Sequence, residues 1–224
     1  MIRIENLEKY YNSRLVLSID NLIFEKGKRY ALLGTNGSGK STLIRIIASV
    51  IKQDKGRVLL HEGISISYLP QSPYIFDLNV NKNLYLSFPE KTDDIGQHID
   101  RLLKSVGLEE YKYSSAKCLS GGEKQRLAFA RVISTSHDLI LLDEPTSSMD
   151  IVGIENIEEV LEKYLKLTKA TLIFSSHEPS QALRLSDEVI FLHRGNIMEF
   201  GKTEEVFKNP KTEFVEKYLK YWKL

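Results

Sequence analysis

Three short segments carry residue types whose spacing suits phosphate chemistry. Gly34-Thr35-Asn36-Gly37-Ser38-Gly39-Lys40-Ser41 fits G-x-x-x-x-G-K-[ST], the phosphate-binding loop pattern. Its glycines let the backbone curl so that successive N–H groups point inward at phosphate. A helix expected at the end of the loop adds its positive terminus. In such a loop Lys40 reaches the β- and γ-phosphates of a nucleotide, and the Ser41 hydroxyl ligates Mg²⁺. The same residues could form a Gly-rich turn with no ligand. The apolar run Tyr30-Ala31-Leu32-Leu33 before the loop and the helical run 42–48 after it favour the phosphate reading.

The second segment is Leu139-Ile140-Leu141-Leu142-Asp143-Glu144, an apolar strand ending in two carboxylates. A carboxylate at the C-terminal end of such a strand faces the crevice where α/β sheets bind ligands. Asp143 is placed to hold Mg²⁺, directly or through water, and Glu144 to orient and deprotonate an attacking water. The bland alternative is that both carboxylates cap the following helix. The third segment, Leu119-Ser120-Gly121-Gly122-Glu123, opens a helix over 124–134. Ser-Gly-Gly there offers a hydroxyl, bare backbone N–H groups and a helix dipole, a second anion site. Its bland alternative is an N-cap with a nearby Glu, a capping-box variant.

These segments need elements to position them. The first 33 residues read as β-rich: Ile2, Ile4 and Leu7 begin one extended stretch, and Leu15, Leu17, Ile19 and Leu22 continue another. Gly27-Lys28 reads as a turn, and strand-like runs recur at 58–60 and 64–69. Over 72–137 helical spacing dominates (Ile99, Leu102, Leu103, Val106), the mark of a helical insertion. Strand and helix then alternate: strands at 139–142, 170–174 and 188–192, a charged amphipathic helix at 152–167 and a last amphipathic helix at 213–222. That alternation implies an α/β core with a parallel sheet.

Composition excludes several classes. The chain has 224 residues, 42% hydrophobic and 27% charged, an ordinary globular balance. With 31 Lys+Arg against 30 Asp+Glu, it lacks the basic excess usual in nucleic-acid binders. The single cysteine, Cys118, rules out an intrachain disulfide and a cysteine metal cage. No apolar run approaches the ~18 residues of a membrane helix, and the N-terminus lacks a signal-peptide core. We therefore expect a cytosolic protein whose membrane spans, if it acts at a membrane, come from another subunit. His61, His98, His137 and His193 are scattered without metal-ligand spacing.

Taken together and in this order, the three segments resemble an ATP-binding cassette (ABC) nucleotide-binding subunit, over nearly the whole chain. The resemblance implies an α/β fold: a P-loop NTPase core with a parallel sheet, an N-terminal antiparallel β subdomain and an inserted α-helical subdomain. Residues 1–71 and 138–224 would form the core, and 72–137 the helical subdomain with the signature motif. It implies ATP and Mg²⁺ as cofactors and extends the nucleotide-binding set to Thr42. Tyr11, or its neighbour Tyr10, matches the aromatic that stacks on adenine. Gln71, in Tyr68-Leu69-Pro70-Gln71, matches the Q-loop glutamine that senses Mg²⁺ and the γ-phosphate. Asp150, in Ser147-Ser148-Met149-Asp150, matches the D-loop, and His177, in Ser175-Ser176-His177-Glu178, the switch histidine beside the γ-phosphate.

The resemblance also implies a head-to-tail pair of cassettes, the P-loop of one copy and Ser120-Gly121-Gly122 of the other closing on one nucleotide. Separate membrane permease subunits, and in importers a solute-binding protein, complete such systems. The cassettes then sit on the inner face of the cell membrane, with no nucleic acid involved. An aromatic stretch, Pro73-Tyr74-Ile75-Phe76-Asp77-Leu78 with Tyr85 and Phe88, lies where a permease helix docks in the family, unless those rings are subdomain core. Pro70-Gln71-Ser72-Pro73-Tyr74 resembles the cassettes of oxyanion importers such as those for tungstate or molybdate. Three features depart from the pattern. The stretch from Gly63 to Gln71 is short, position 49 is Ser where the family often has Gly, and the chain stops at 224, without the regulatory domain of some sugar importers. The stripe Phe214, Tyr218 and Trp222 is expected to pack on the domain rather than lie on lipid. Import is the favoured direction, since single-cassette subunits are typical of bacterial importers; exporters and lipoprotein-releasing systems use similar subunits. Competing readings are a soluble ABC ATPase acting on nucleic acid or ribosomes, and a cassette that binds ATP without turnover. Intact Lys40, Asp143, Glu144 and His177 argue against the last.

Overall fold

A computed structural model of the chain describes residues 1–89 and 92–223. In chain order it runs β1 (Ile2–Tyr11), β2 (Arg14–Phe24), β3 (Arg29–Leu33), α1 (Lys40–Ile47), β4 (Lys55–Leu59) and β5 (Ile66–Leu69). The helices α2 (Val80–Tyr85), α3 (Ile95–Ser105) and α4 (Gly121–Val132) follow. Then come β6 (Leu139–Asp143), α5 (Ile151–Thr168), β7 (Thr171–Ser175), α6 (Pro179–Leu185), β8 (Glu188–His193) and β9 (Asn196–Lys202), and finally α7 (Thr203–Lys208) and α8 (Glu213–Tyr221). The chain divides into two compact units: Met1–Ile66, Asp138–Glu144 and Ala170–Leu224 form the first, Ser67–His137 and Pro145–Lys169 the second.

The first unit holds the small sheet and five strands of the main one, whose remaining strand β5 lies mostly in the second unit. β1 and β2 form an antiparallel hairpin, with Tyr11 opposite Arg14. Asn12 and Ser13 close it with positive φ (48° and 63°), the backbone of a two-residue turn that matches strand twist. β4 pairs with the other edge of β1, giving the order β2-β1-β4. In the main sheet β6, β7, β3 and β8 are parallel neighbours. β6 and β7 are buried along their whole length, so they read as unbroken apolar runs rather than alternating ones. The expected parallel sheet carries an antiparallel edge that periodicity did not predict: β9 folds back on β8 through Arg194-Gly195, both at positive φ (47° and 84°).

α1 starts at Lys40, two residues before the expected helix, and ends in a left-handed residue, Ser49 (φ 58°). The Ser49 N–H donates to the Ile46 carbonyl and the Val50 N–H to the Arg45 carbonyl, the paired bonds of a Schellman cap. A left-handed C′ position favours glycine, which gives the physical reason why Ser is the unusual residue there. Ser49→Gly should stabilise the protein by about 0.5–1 kcal/mol, measured by urea titration at unchanged m-value.

The second unit is helical. The 18-residue helix α5, expected with the core, groups here instead, because its buried face (Ile157, Leu161, Leu165) packs on α4. Tyr164 of α5 ties the same side: its hydroxyl donates to the Thr135 carbonyl and accepts from the His137 N–H. Residues 67–71, also expected with the core, join this unit. Asn83 is fully buried; its amide donates to the Phe76, Leu78 and Asn79 carbonyls and accepts from the Phe76 N–H, which fixes the aromatic segment. Among the described residues no helix is long and apolar enough to cross a membrane.

Candidate active site

In the first unit the loop from Gly34 to Lys40 joins the end of β3 to α1. Gly34 sits at φ 143°, and a Cβ there would lie 2.1 Å from the Leu192 carbonyl oxygen, so only glycine fits. Gly39 is the N-cap of α1 in a left-handed conformation and has no side chain to cap the helix. The first N–H groups of α1, which have no intrahelical acceptor, are therefore left for a ligand. Ser38 Oγ is buried and lacks a hydrogen-bond partner among the described residues. Lys40 is 5% exposed, and its ammonium donates to the Gly34 carbonyl (2.8 Å) and the Thr35 carbonyl (3.3 Å). Burial pushes the Lys40 ammonium below its ordinary pKa, outweighing the attraction of Glu144 and Asp143.

The end of β6 stands beside this loop. Ser41 Oγ donates to Asp143 Oδ1 at 2.8 Å, and Ser175 Oγ donates to the same oxygen at 2.7 Å. Asp143 is wholly buried, and its other oxygen, Oδ2, has no partner among the described residues. A buried carboxylate oxygen left unpaired is costly unless something positive completes it. Two oxygen donors side by side, one of them anionic, suit a hard divalent cation that keeps several waters and substrate phosphates. The residues therefore fit Mg²⁺. No group of three or more His, Cys, Asp or Glu side chains that could hold a metal occurs among the described residues, and a phosphate-bridged ion does not need one.

Glu144 follows at φ 49°, a left-handed backbone that costs a non-glycine residue of order 1 kcal/mol or more. Its N–H donates to Ser175 Oγ (2.9 Å), so Ser175 fixes both carboxylate residues. Glu144 Oε2 lies 3.8 Å from His177 Nδ1, beyond direct hydrogen-bond reach, with both groups facing the same space. Ser175 is a site residue that sequence reading did not assign. Its signal is positional: it ends β7 directly opposite Asp143 in the parallel register. Ser175→Ala leaves a buried carboxylate with one bond fewer and should cost about 1–3 kcal/mol of stability, checked by chemical denaturation.

Of the other predicted residues, Tyr11, 45% exposed, lies at the end of β1 with the Lys9 ammonium 5.5 Å from the centre of its ring. Tyr10 is half-buried, its hydroxyl donating to Glu8 (2.7 Å), so Tyr11 is the ring presented to solvent. Gln71 belongs to the second unit, exposed, just past β5. That unit also brings Ser120, Gly121 and Gly122 into one recess with Ser148, Met149, Asp150 and Arg126. Ser120 and Glu123 form a full capping box, so the structural reading of this motif holds. The N–H groups of Gly121 and Gly122 remain at the helix start, and a Cβ on Gly121 would meet nothing within 4 Å. Asp150 caps α5 by accepting from the Gly153 N–H.

The aromatic stretch splits. Phe88 is core, whereas Tyr74 is 72% exposed, resting edge-on against Phe76 while Arg131 stacks on Phe76 and donates to the Tyr74 carbonyl. Phe214 stacks on His193 at 4.4 Å and Tyr218 meets Phe191 edge-on, so these two rings of the stripe pack on the domain, whereas Trp222 stays exposed.

A phosphate loop, a strand-end Asp-Glu pair and a Ser-Gly-Gly helix start on an α/β core define a nucleotide-hydrolysing cassette. The chain belongs to the ABC transporter family, whose sequence profile matches residues 17–147. It is an ATP-binding, ATP-hydrolysing subunit of that family. It is 32% identical over 235 residues to the spermidine/putrescine import ATP-binding protein PotA of Clostridioides difficile, covering 98% of this chain and 67% of that one. It is 34% identical over 239 residues to the phosphate import ATP-binding protein PstB 1 of Ligilactobacillus salivarius, covering 96% and 89%. Among solved structures, cbiO1 of Clostridium perfringens, part of the ABC transporter complex cbiONQ, superposes with a TM-score of 0.76 at 28% identity, covering 96% and 93%. An ATP-binding subunit of another ABC transporter matches in fold, with a TM-score of 0.85 at 22% identity over 98% of both chains.

Proposed function

We propose that the chain drives solute import as a head-to-tail pair of copies, each nucleotide held between the first unit of one copy and the second unit of the other. The observation that carries its nucleotide site is the Asp143 carboxylate, one oxygen tied to Ser41 and Ser175 and the other buried and unpaired beside the phosphate loop. Gly34, Thr35, Asn36, Gly37, Ser38, Gly39 and Thr42 wrap the phosphates with backbone N–H groups, and Lys40 holds the β- and γ-phosphates. Tyr11 stacks on adenine. Ser41 and Asp143 hold Mg²⁺, and Gln71 is assigned to it on the family resemblance. When bound, Mg²⁺ neutralises charge developing on the phosphate oxygens. Glu144 orients a water and takes its proton, and His177 donates to the γ-phosphate.

The partner copy contributes the Gly121 and Gly122 N–H groups, with Ser120 and Asp150 shaping the recess. A two-fold pair makes two such sites with one self-complementary interface. ATP favours the closed pair because its γ-phosphate meets both copies; hydrolysis removes that contact and reopens it. Relatives of similar cassette sequence are named for a polyamine, for phosphate and for sulfate/thiosulfate, cargoes of opposite charge. Cargo choice therefore belongs to other subunits: integral permeases and a solute-binding protein. A permease helix docks in the groove along Tyr68, Pro70, Pro73, Tyr74, Leu86 and Arg131, which holds the cassette at the inner membrane face. The test is capture of tagged Glu144→Gln protein from detergent-solubilised native membranes in ATP and Mg²⁺. A stoichiometric multi-span protein is expected; recovery of soluble assemblies alone contradicts the transporter assignment.

A further inference from the structure

The C-terminal helix α8 reaches the active site through one hydroxyl. Tyr218 Oη donates to the backbone carbonyl of His177 at 3.0 Å. The Gly34 backbone N–H and the Trp222 indole N–H near the same oxygen favour its ionised form, but burial outweighs both. One phenol thus ties α8 to the histidine that follows β7, beside the first residue of the phosphate loop. The bond to His177 is to backbone, so it sets where that loop stands, independent of side-chain rotamers. Burial pushes the phenol up to about 12, so the hydroxyl keeps its proton and stays a donor throughout the neutral range.

The tyrosine is itself held in place. Its ring meets Phe191 of β8 edge-on at 5.5 Å, and Phe214, one turn earlier, lies 6.1 Å away. The start of α8 is fixed by Glu199 of β9, 7% exposed, whose carboxylate accepts from the Lys211 N–H, the Thr212 N–H and the Thr212 hydroxyl. β8 is the neighbour of β3, with Phe191 opposite Leu33, the residue before Gly34. The ring therefore rests on the same sheet that aims the phosphate loop.

We propose that Tyr218 is a positioning residue for ATP hydrolysis, acting through His177 by fixing its backbone to the packed helix α8. This rests on the assignment of His177 to the γ-phosphate above. Neither Tyr218 nor α8 touches the nucleotide in that assignment; the helix works as a brace whose loss loosens the histidine.

The test is a double-mutant cycle on the full chain: wild type, Tyr218→Phe, His177→Ala and the double variant. Single-turnover ATP hydrolysis is read together with Tm and the affinity for a fluorescent ADP analogue. Tyr218→Phe keeps the ring and its packing. It should slow hydrolysis about three- to tenfold, the loss of one hydrogen bond, with Tm nearly unchanged. In the His177→Ala background the same substitution should change the rate less than about twofold, because the residue it positions is gone. A wild-type rate in Tyr218→Phe overturns the proposal, as does an equal fold-loss in both backgrounds. A wild-type rate in His177→Ala overturns the assignment of His177 itself. Tyr218→Leu, which also removes ring packing, separates the two effects: a fall in Tm with no further rate loss beyond Tyr218→Phe is expected, and a rate that tracks Tm across both variants contradicts positioning.

Discussion

Glu144→Gln is expected to bind ATP as the wild type does and to hydrolyse it about 10²- to 10⁴-fold more slowly, the usual contribution of a positioned general base. The change is local. Gln has the shape of Glu, and the backbone bond from residue 144 to Ser175 Oγ does not depend on the side chain. The left-handed backbone at φ 49° is as costly for Gln as for Glu, so stability should not move. What is lost is the capacity of the Glu144 carboxylate, beside His177, to accept a proton from the attacking water. Steady-state phosphate release and equilibrium ATP binding, measured on the same preparation, separate the two steps. A variant that turns over normally would remove Glu144 from the chemistry.

Lys40→Met should lower ATP affinity about 10- to 100-fold, since hydrogen bonds to charged groups contribute about 1.5–3 kcal/mol. Its effect on the ligand-free protein runs the other way. The folded-state pKa of Lys40 is lowered, chiefly by desolvation, so the protein holds the ammonium less readily than water does. A lowered pKa on a base means the charged form destabilises the fold below that pKa, and the cost fades as pH rises through it. Met keeps the length of the side chain and removes the buried charge, so the Tm without nucleotide should be kept or raised. At one concentration of ATP and Mg²⁺ the Tm of the wild type should rise by more than that of Lys40→Met. A drop in ligand-free Tm would show that the two carbonyl bonds of Lys40 outweigh its desolvation.

The parts of the site that could be read in the sequence are those whose residues are contiguous. The loop from Gly34 to Ser41 and the strand ending in Asp143 and Glu144 carry their geometry in their own spacing. Ser175 could not be found that way, because its role comes from the β6–β7 register that sets it opposite Asp143. Tyr218 is 41 positions from His177, and only the packing of α8 brings them together. The β8–β9 hairpin was missed because Arg194-Gly195 is a weaker turn signal than Asn-Gly, and β9 alternates too little to announce a strand. The helix α5 has the spacing of any amphipathic helix; which surface covers its apolar face is a tertiary fact. Ser49 shows the converse case, in which an oddity noticed in sequence gains its cause from a backbone angle.

The central claim is that one nucleotide is shared by two copies, and the most direct test is the mass of Glu144→Gln in solution by light scattering. Without nucleotide the mass should be 25.7 kDa. With ATP and Mg²⁺ it should double, and adding Gly121→Asp should abolish the doubling. That substitution has open space for its Cβ and puts a negative charge at the helix start where the partner's nucleotide is expected. A protein that stays at 25.7 kDa with ATP bound, or a doubling indifferent to Gly121→Asp, would contradict the shared site.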